Sequence, residues 1–394
     1  MSGAMNSRER VLAALEHREP DRLPLGFFAV DHDTVSRVLG RETFLRAKAK
    51  SQLALWQGRR DEVAQSWRED AIEFYTKLDL IDIVPVHAMA SSVLPPAGYE
   101  PLQPERVDDV TWRDRDGRIY RYSPRTEDIT CIDDPVLREK TFTPGDFPVP
   151  GSIDPPHESC FEAVDAVISH FTGERFVLGP SGDEASMVLL GGSYERGLLE
   201  FALNPETVLA AHRRALAVGE LEDEYYLRPG QDAVLWGMDF SCNTGPLISP
   251  ADFERFCLPN IVRRTAGVHG RGFKVLKHAC GNNAALLDFF VRAGYDCYQS
   301  LQESAGVDIG QLRARYGRGL ALWGGVRVEN MIGGAPQEVR KDVRRAFRIA
   351  LETEGAGPGG FIIGTSHSVA VGTRYENFMA LLDEFQLQNE RYFG

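Results

Sequence analysis

The chain has 394 residues, 43% of them hydrophobic, enough for one large core or two ordinary ones. Lysine and arginine number 44 against 57 aspartates and glutamates, a formal charge of -13. Without a basic block, that balance excludes nucleic acid and anionic membrane as expected partners and leaves open only a local basic pocket for a small acidic substrate.

The start, MSGAMNSRER, is polar and has no apolar signal core, and no run is long enough to span a bilayer. Cys131, Cys160, Cys242, Cys257, Cys280 and Cys297 form no CxxC pair and no secreted disulfide framework. A reducing, cytoplasmic location is expected. Asn6 and Glu9 have the spacing of a helix cap, and Val11, Leu12 and Leu15 give that helix an apolar face until Pro20-Asp21 stops it. Residues 22–28 read as the first strand, with Asp31, His32 and Asp33 beyond it. Residues 42–77 read as helical with a break near Gly58, and residues 80–86 as a second strand followed by His87.

Residues 97–150 change character. Prolines are frequent, and Trp112 to Tyr122 alternates around Asp116-Gly117, the signature of a hairpin. This region is expected to be an antiparallel flap inserted into the main fold. From residue 161 onward strands and helices alternate. Strands are expected at 176–179, 233–237, 273–278, 297–301, 320–323 and 361–363, with helices between them. Gly191-Gly192 and Gly324-Gly325 read as turns, and no Gly-x-Gly-x-x-Gly joins a strand to a helix, which disfavours a dinucleotide fold. The count of about eight units predicts an α/β protein. The expected fold is a (β/α)8 TIM barrel with an N-terminal helical extension and the inserted hairpin region, one domain over 1–394.

Active sites of such barrels gather at the C-terminal ends of the strands. In chain order those ends offer Asp31 and His32, then His87, Ser181 and Asp183, Asp239, His278 and Cys280, Gln302 and Glu303, Arg327 and Glu329, and Ser366 and His367. His278 and Cys280 are two apart on one strand, so both side chains point the same way, and Gly281 lets the backbone turn straight after them. With His367 they are expected to make three ligands of a catalytic zinc, whose fourth position is open to substrate and closed at rest by Gln302 or Glu303. Asp239, Gln302 and Glu303 are the candidate catalytic residues. His32, His87, Ser181, Asp239 and Arg327 are the candidate substrate-lining residues. Asp239 serves equally well on paper as a loop anchor. No Gly-x-Ser-x-Gly elbow or other nucleophile motif is present.

Several stretches together resemble the uroporphyrinogen decarboxylase (URO-D) superfamily, and within it the cobalamin-linked methyltransferase branch. They are Ser7-Arg8-Glu9-Arg10-Val11-Leu12 with Arg18-Glu19-Pro20-Asp21-Arg22, then Asp239 with Thr244-Gly245-Pro246-Leu247-Ile248-Ser249-Pro250. His278-Ala279-Cys280-Gly281, Trp323-Gly324-Gly325-Val326 and Glu376-Asn377 complete the set, and the likeness spans nearly the whole chain. The resemblance implies a TIM barrel with zinc held by His, Cys and a further Cys, acting with a corrinoid (cobalamin) carried by a partner protein. By it, His278 and Cys280 are the first two ligands. At the third the chain departs, since Gly364-Thr365-Ser366-His367-Ser368 carries His367 where thiol-methylating members have Cys. One thiolate in place of two makes the metal a stronger Lewis acid.

The expected activity is therefore zinc-dependent transfer of a methyl group between a small methoxy, methylamino or thiol compound and a corrinoid protein, with a homodimer open to it. The alternatives are a metal-independent decarboxylase using Asp239 or Asp82, and a barrel that only binds a ligand. The stretch around Asp82, Leu80-Ile81-Asp82-Ile83-Val84, reads as strand core, and no Arg-Gln-Ala-Gly-Arg stretch anchors a polycarboxylate near the start.

Overall fold

Thirteen short strands are defined in the computed structural model, which describes residues 4–89, 93–357 and 359–394. After β1 (Ile83–Pro85) come β2 (Glu105–Arg106), β3 (Thr111–Arg113), β4 (Ile119–Ser123) and β5 (Asp128–Asp133). Next are β6 (Phe176–Gly179), β7 (Ala233–Trp236), the hairpin pair β8 (Ser241–Cys242) and β9 (Gly245–Pro246), and β10 (Lys274–His278). The last three are β11 (Cys297–Gln299), β12 (Ala321–Val326) and β13 (Phe361–Thr365). Seven of these form one parallel sheet in the order β1-β6-β7-β10-β11-β12-β13, each joined to the next by helical crossovers. The curled parallel sheet fits a TIM-like α/β barrel.

Their side chains divide by period two, as buried strands require. Ile83, Phe176, Leu178, Ala233, Leu235, Leu276, Cys297, Ala321, Trp323 and Ile362 pack together inside the ring. Val177, Val234, Val275, Tyr298, Leu322 and Ile363 pack outward against the helices. The helix Ser7–Leu15, capped by a reciprocal Asn6–Glu9 box, adds Val11, Ala14 and Leu15 to the interior cluster and so covers one end of the ring.

Two expectations change. Residues 22–28 do not form a regular strand. They make isolated parallel bridges, Leu25 with Ile363 and, just beyond, Val30 with Val369. The Gly26 amide donates to the Ile363 carbonyl at 3.0 Å, and the Asp82 amide donates to the Leu25 carbonyl at 2.8 Å. The segment thus lies between β13 and β1 and closes the ring, but Pro24 has no N–H to give a ladder. Gly324-Gly325 is not a turn: both glycines lie inside β12. A Cβ on Gly325 would stand 2.6 Å from the Cβ of Ala346, so the missing side chain is what lets the helix Pro336–Glu352 sit on the strand.

A separate four-stranded antiparallel sheet, β2-β3-β4-β5, spans residues 105–133. It packs on the helix Lys48–Trp56: the Trp56 ring lies 5.8 Å from Trp112 and 5.4 Å from Tyr120. Among the described residues, no helix is long and apolar enough to cross a membrane.

Candidate metal centre

His278 is the last residue of β10 and is buried, while Cys280 sits in the loop after it. His367 follows β13 at the exposed rim. One ligand atom from each, a ring nitrogen or the sulfur, lies within 4.8 Å of the other two, and Cys280 Sγ is 3.4 Å from His278 Nε2. Neighbouring ligands of a tetrahedral zinc stand about 3.5 Å apart, given bonds of roughly 2.0–2.3 Å.

The backbone and neighbouring side chains hold this group in place. His278 pairs in register with Gln299 of β11, and the His278 Nδ1–H donates to Gln299 Oε1. Gln299 Nε2 in turn donates to the Thr365 carbonyl at 3.1 Å. This bond fixes the tautomer that leaves Nε2 as the free lone pair on the side of Cys280. The Phe28 ring lies tilted over His278 with centroids 4.3 Å apart and reaches His367 at 6.2 Å. The Cys280 amide donates to Asp239 Oδ1 at 2.7 Å, and the Gly281 amide donates to Gln302 Oε1 at 2.9 Å. Gly281 has φ +82, and a Cβ there would stand 2.7 Å from the Ser241 and Cys242 carbonyls, so only glycine lets the loop lie against β8. The Ser300 hydroxyl lies 3.7 Å from Cys280 Sγ and donates to the Ser366 carbonyl at 2.8 Å. Ser300 and its neighbour Leu301 have φ of 122° and 54°, which ends β11 sooner than the apolar run suggests.

The electrostatics suit a cation. Burial, then the neighbouring His367, pushes His278 down to about 4, so its imidazole is neutral and able to ligate. Burial, then the Asp239 charge, pushes the Cys280 thiol up to about 12. A thiolate in that setting requires a cation at bonding distance, which a metal ion held by this His-Cys-His group would supply.

Of the other sequence candidates, Asp239 and Gln302 reach the centre through backbone amides rather than as ligands. His87 borders it: its ring is 5.5 Å from Phe28, and burial, ahead of the Arg46 and His278 charges, holds it down to about 3. Ser181 accepts the Trp236 Nε1–H at 2.9 Å. The remaining three are engaged elsewhere. Glu303 pairs with Arg345, Arg327 pairs with Asp342 at 2.7 Å, and His32 Nε2 meets Glu127 of the antiparallel sheet at 2.7 Å. Asp82 lies at the opposite end, fully buried, with Oδ1 held by Arg10 at 2.8 Å and Arg22 at 2.9 Å, and Oδ2 by the Leu25 amide at 2.8 Å. Sequence reasoning missed Gln299, Ser300 and Phe28. The one signal for the first was a primary amide in an otherwise apolar buried strand.

Beside the centre a cavity of about 470 Å³ opens at the ends of β1, β6 and β7, with His87, Ser181, Asp183, Glu184, Trp236 and Met238 among its walls. Met238 leads directly into Asp239, and so to the Cys280 loop.

Residues 227–386, which carry β7 to β13 and all three candidate ligands, match the family model described as Uroporphyrinogen decarboxylase (URO-D). Among solved structures, the chain is similar to a methyltransferase from Methanosarcina mazei, with a TM-score of 0.59 at 14% identity, over 98% of this chain and 99% of that one. No curated protein sequence matches the chain.

Proposed function

From the URO-D match and the barrel mouth, we propose that this chain is a methyltransferase that exchanges a methyl group between a small heteroatom-bearing molecule and a corrinoid held by a second protein. The observation that carries the proposal is the His278, Cys280 and His367 group beside an open cavity. The name of the Methanosarcina mazei structure and the family match point the same way.

In this reading His278, Cys280 and His367 hold zinc. A zinc so bound supplies Lewis acidity to the substrate heteroatom, from which a methyl otherwise leaves poorly. The chain's own residues fix the site before substrate arrives. Gln299 keeps the His278 Nδ1 proton, so Nε2 stays available. Asp239 holds the Cys280 amide, and the Ser300 hydroxyl lies beside the sulfur. Phe28 covers one face of His278 and keeps water from it. His87, Ser181, Asp239 and Gln302 orient the substrate around the centre. We take residues 1–394 as one domain with a flap inserted at 97–150, acting in the cytoplasm, with a homodimer open to it. A decarboxylase would have to rest on Asp239 alone, because Arg10, Arg22 and the Leu25 amide saturate Asp82.

The test joins metal analysis to turnover. The wild type should carry about one zinc per chain and Cys280→Ala far less, since the only thiolate ligand is gone. Mixed with cob(I)alamin and methoxy, methylamino or methylthio compounds, the wild type should form methylcobalamin and His278→Ala should not. Carbon dioxide released from a carboxylated substrate without cobalamin, by a protein that holds no metal, would overturn the proposal.

A further inference from the structure

The walls of the 470 Å³ cavity carry a definite charge. Among the described residues, no lysine or arginine lines it, whereas Asp183 and Glu184 do. Two more carboxylates stand just behind. Glu222 Oε2 accepts the Asp183 amide at 3.0 Å, and Asp223 Oδ1 accepts the Gly182 amide at 3.0 Å. Two cations just behind this wall are already matched and fully buried. Lys277 Nζ meets Glu184 Oε2 at 2.7 Å, and Arg264 Nη2 meets Asp223 Oδ1 at 3.0 Å. Among the described residues, Asp183 and Glu222 form no ion pair with a basic side chain, so the wall keeps a net negative charge. Asp183 is exposed on it. Its Oδ1 accepts the Ala185 amide at 2.6 Å, which fixes the carboxylate in place. The rest of the wall is aromatic or neutral: Trp236, Tyr226, Met238, and His87, whose ring meets Phe28, the ring that lies over His278.

Fixed carboxylate charge and aromatic rings in one small cavity are the chemistry that recognises an alkylammonium group, and the same wall repels carboxylates, sulfonates and phosphates. We infer that this cavity holds the substrate of the neighbouring metal centre, and that it selects a small alkylated ammonium cation over an anion of the same shape. This rests on the methyltransferase reading for what happens to the ligand, but not for which charge is bound.

Three probes of nearly equal shape separate the outcomes: tetramethylammonium, tert-butanol and pivalate, titrated calorimetrically into the zinc-loaded protein. Tetramethylammonium should bind at least about tenfold more tightly than pivalate, with tert-butanol between them. Asp183→Asn keeps the acceptor for the Ala185 amide but removes the charge, and should cut tetramethylammonium affinity several-fold while leaving tert-butanol unchanged. Should that variant misfold by circular dichroism, Asp183→Glu, which keeps the charge, should fold and retain the order of the three probes. Pivalate binding as well as tetramethylammonium, no binding of tetramethylammonium, or indifference to Asp183→Asn would overturn the inference. Methyl transfer is read separately. Methylcobalamin formed from anionic methoxy donors as readily as from methylammonium donors sinks the charge selection and leaves the methyltransferase standing. Cation binding with no methyl transfer from any donor does the reverse.

Discussion

His212 spends both ring nitrogens: Nδ1–H donates to the Phe256 carbonyl at 2.7 Å, and Nε2 accepts the Val188 amide at 3.0 Å. A proton on Nε2 would face an N–H, and burial pushes the ring down to about 4. Burial likewise holds His87 at about 3. Both folded values lie below the usual histidine value of about 6.5, so the unfolded chain takes up these protons first. The stability they contribute is complete above about pH 6.5 and is lost as the pH falls towards 4. Thermal melts should therefore hold steady above pH 7 and drop below 6, with each histidine adding a slope of up to about 1.4 kcal/mol per pH unit. His212→Gln should remove one such share. An unchanged acid slope in that variant would exclude His212 as its source. At this scale the three candidate ligands were legible, because two of them stand two residues apart where one strand ends and the third follows the end of another. Gln299 was not, because a glutamine in a strand gives no sign of whether a histidine lies across the ladder.

The antiparallel sheet is held to the barrel by few contacts. Trp56, Ala49 and Ile129 form its small core with Trp112, Tyr120 and Tyr122, and the His32–Glu127 and Lys48–Asp128 pairs at 2.7 Å and 3.3 Å flank it. The ion pairs are partly exposed and contribute little, so the rings carry the attachment. Trp56→Ala should cost about 3 kcal/mol there and open the sheet locally. Limited proteolysis should then cut within residues 105–133 much faster than in the wild type, before the barrel is touched. An equal cleavage rate would mean that other contacts hold the sheet. The barrel strands were legible as short apolar runs bounded by turn residues. The closing segment was less so, because its pairing depends on two bridges to residues more than three hundred positions away. Sequence pattern also made a turn of two strand glycines, of which Gly325 leaves room for the helix above it and Gly324 stands against the Ser300 carbonyl and Leu301.

Closure of the ring rests on a small contact among Gly26, Trp323 and Gly364. The Trp323 Nε1–H donates to the Gly26 carbonyl at 3.0 Å inside the core. A Cβ on Gly364 would stand 2.3 Å from that same carbonyl oxygen, a backbone atom with nowhere to move. Gly364→Ala should destabilise the whole molecule by about 3 kcal/mol or more, read as a lower urea midpoint with an unchanged slope. A wild-type midpoint would mean that the seam yields more easily than its packing suggests. The same seam also orders events during synthesis. Leu25 leaves the ribosome more than three hundred residues ahead of its partner Ile363. At about 5–20 residues per second, Leu23, Leu25 and Phe27 wait roughly 20–70 s for a place to be buried. Over that interval the nascent chain carries an apolar strip that can pair only on its β1 side, so the demand for chaperone protection falls on translation rather than on the finished barrel.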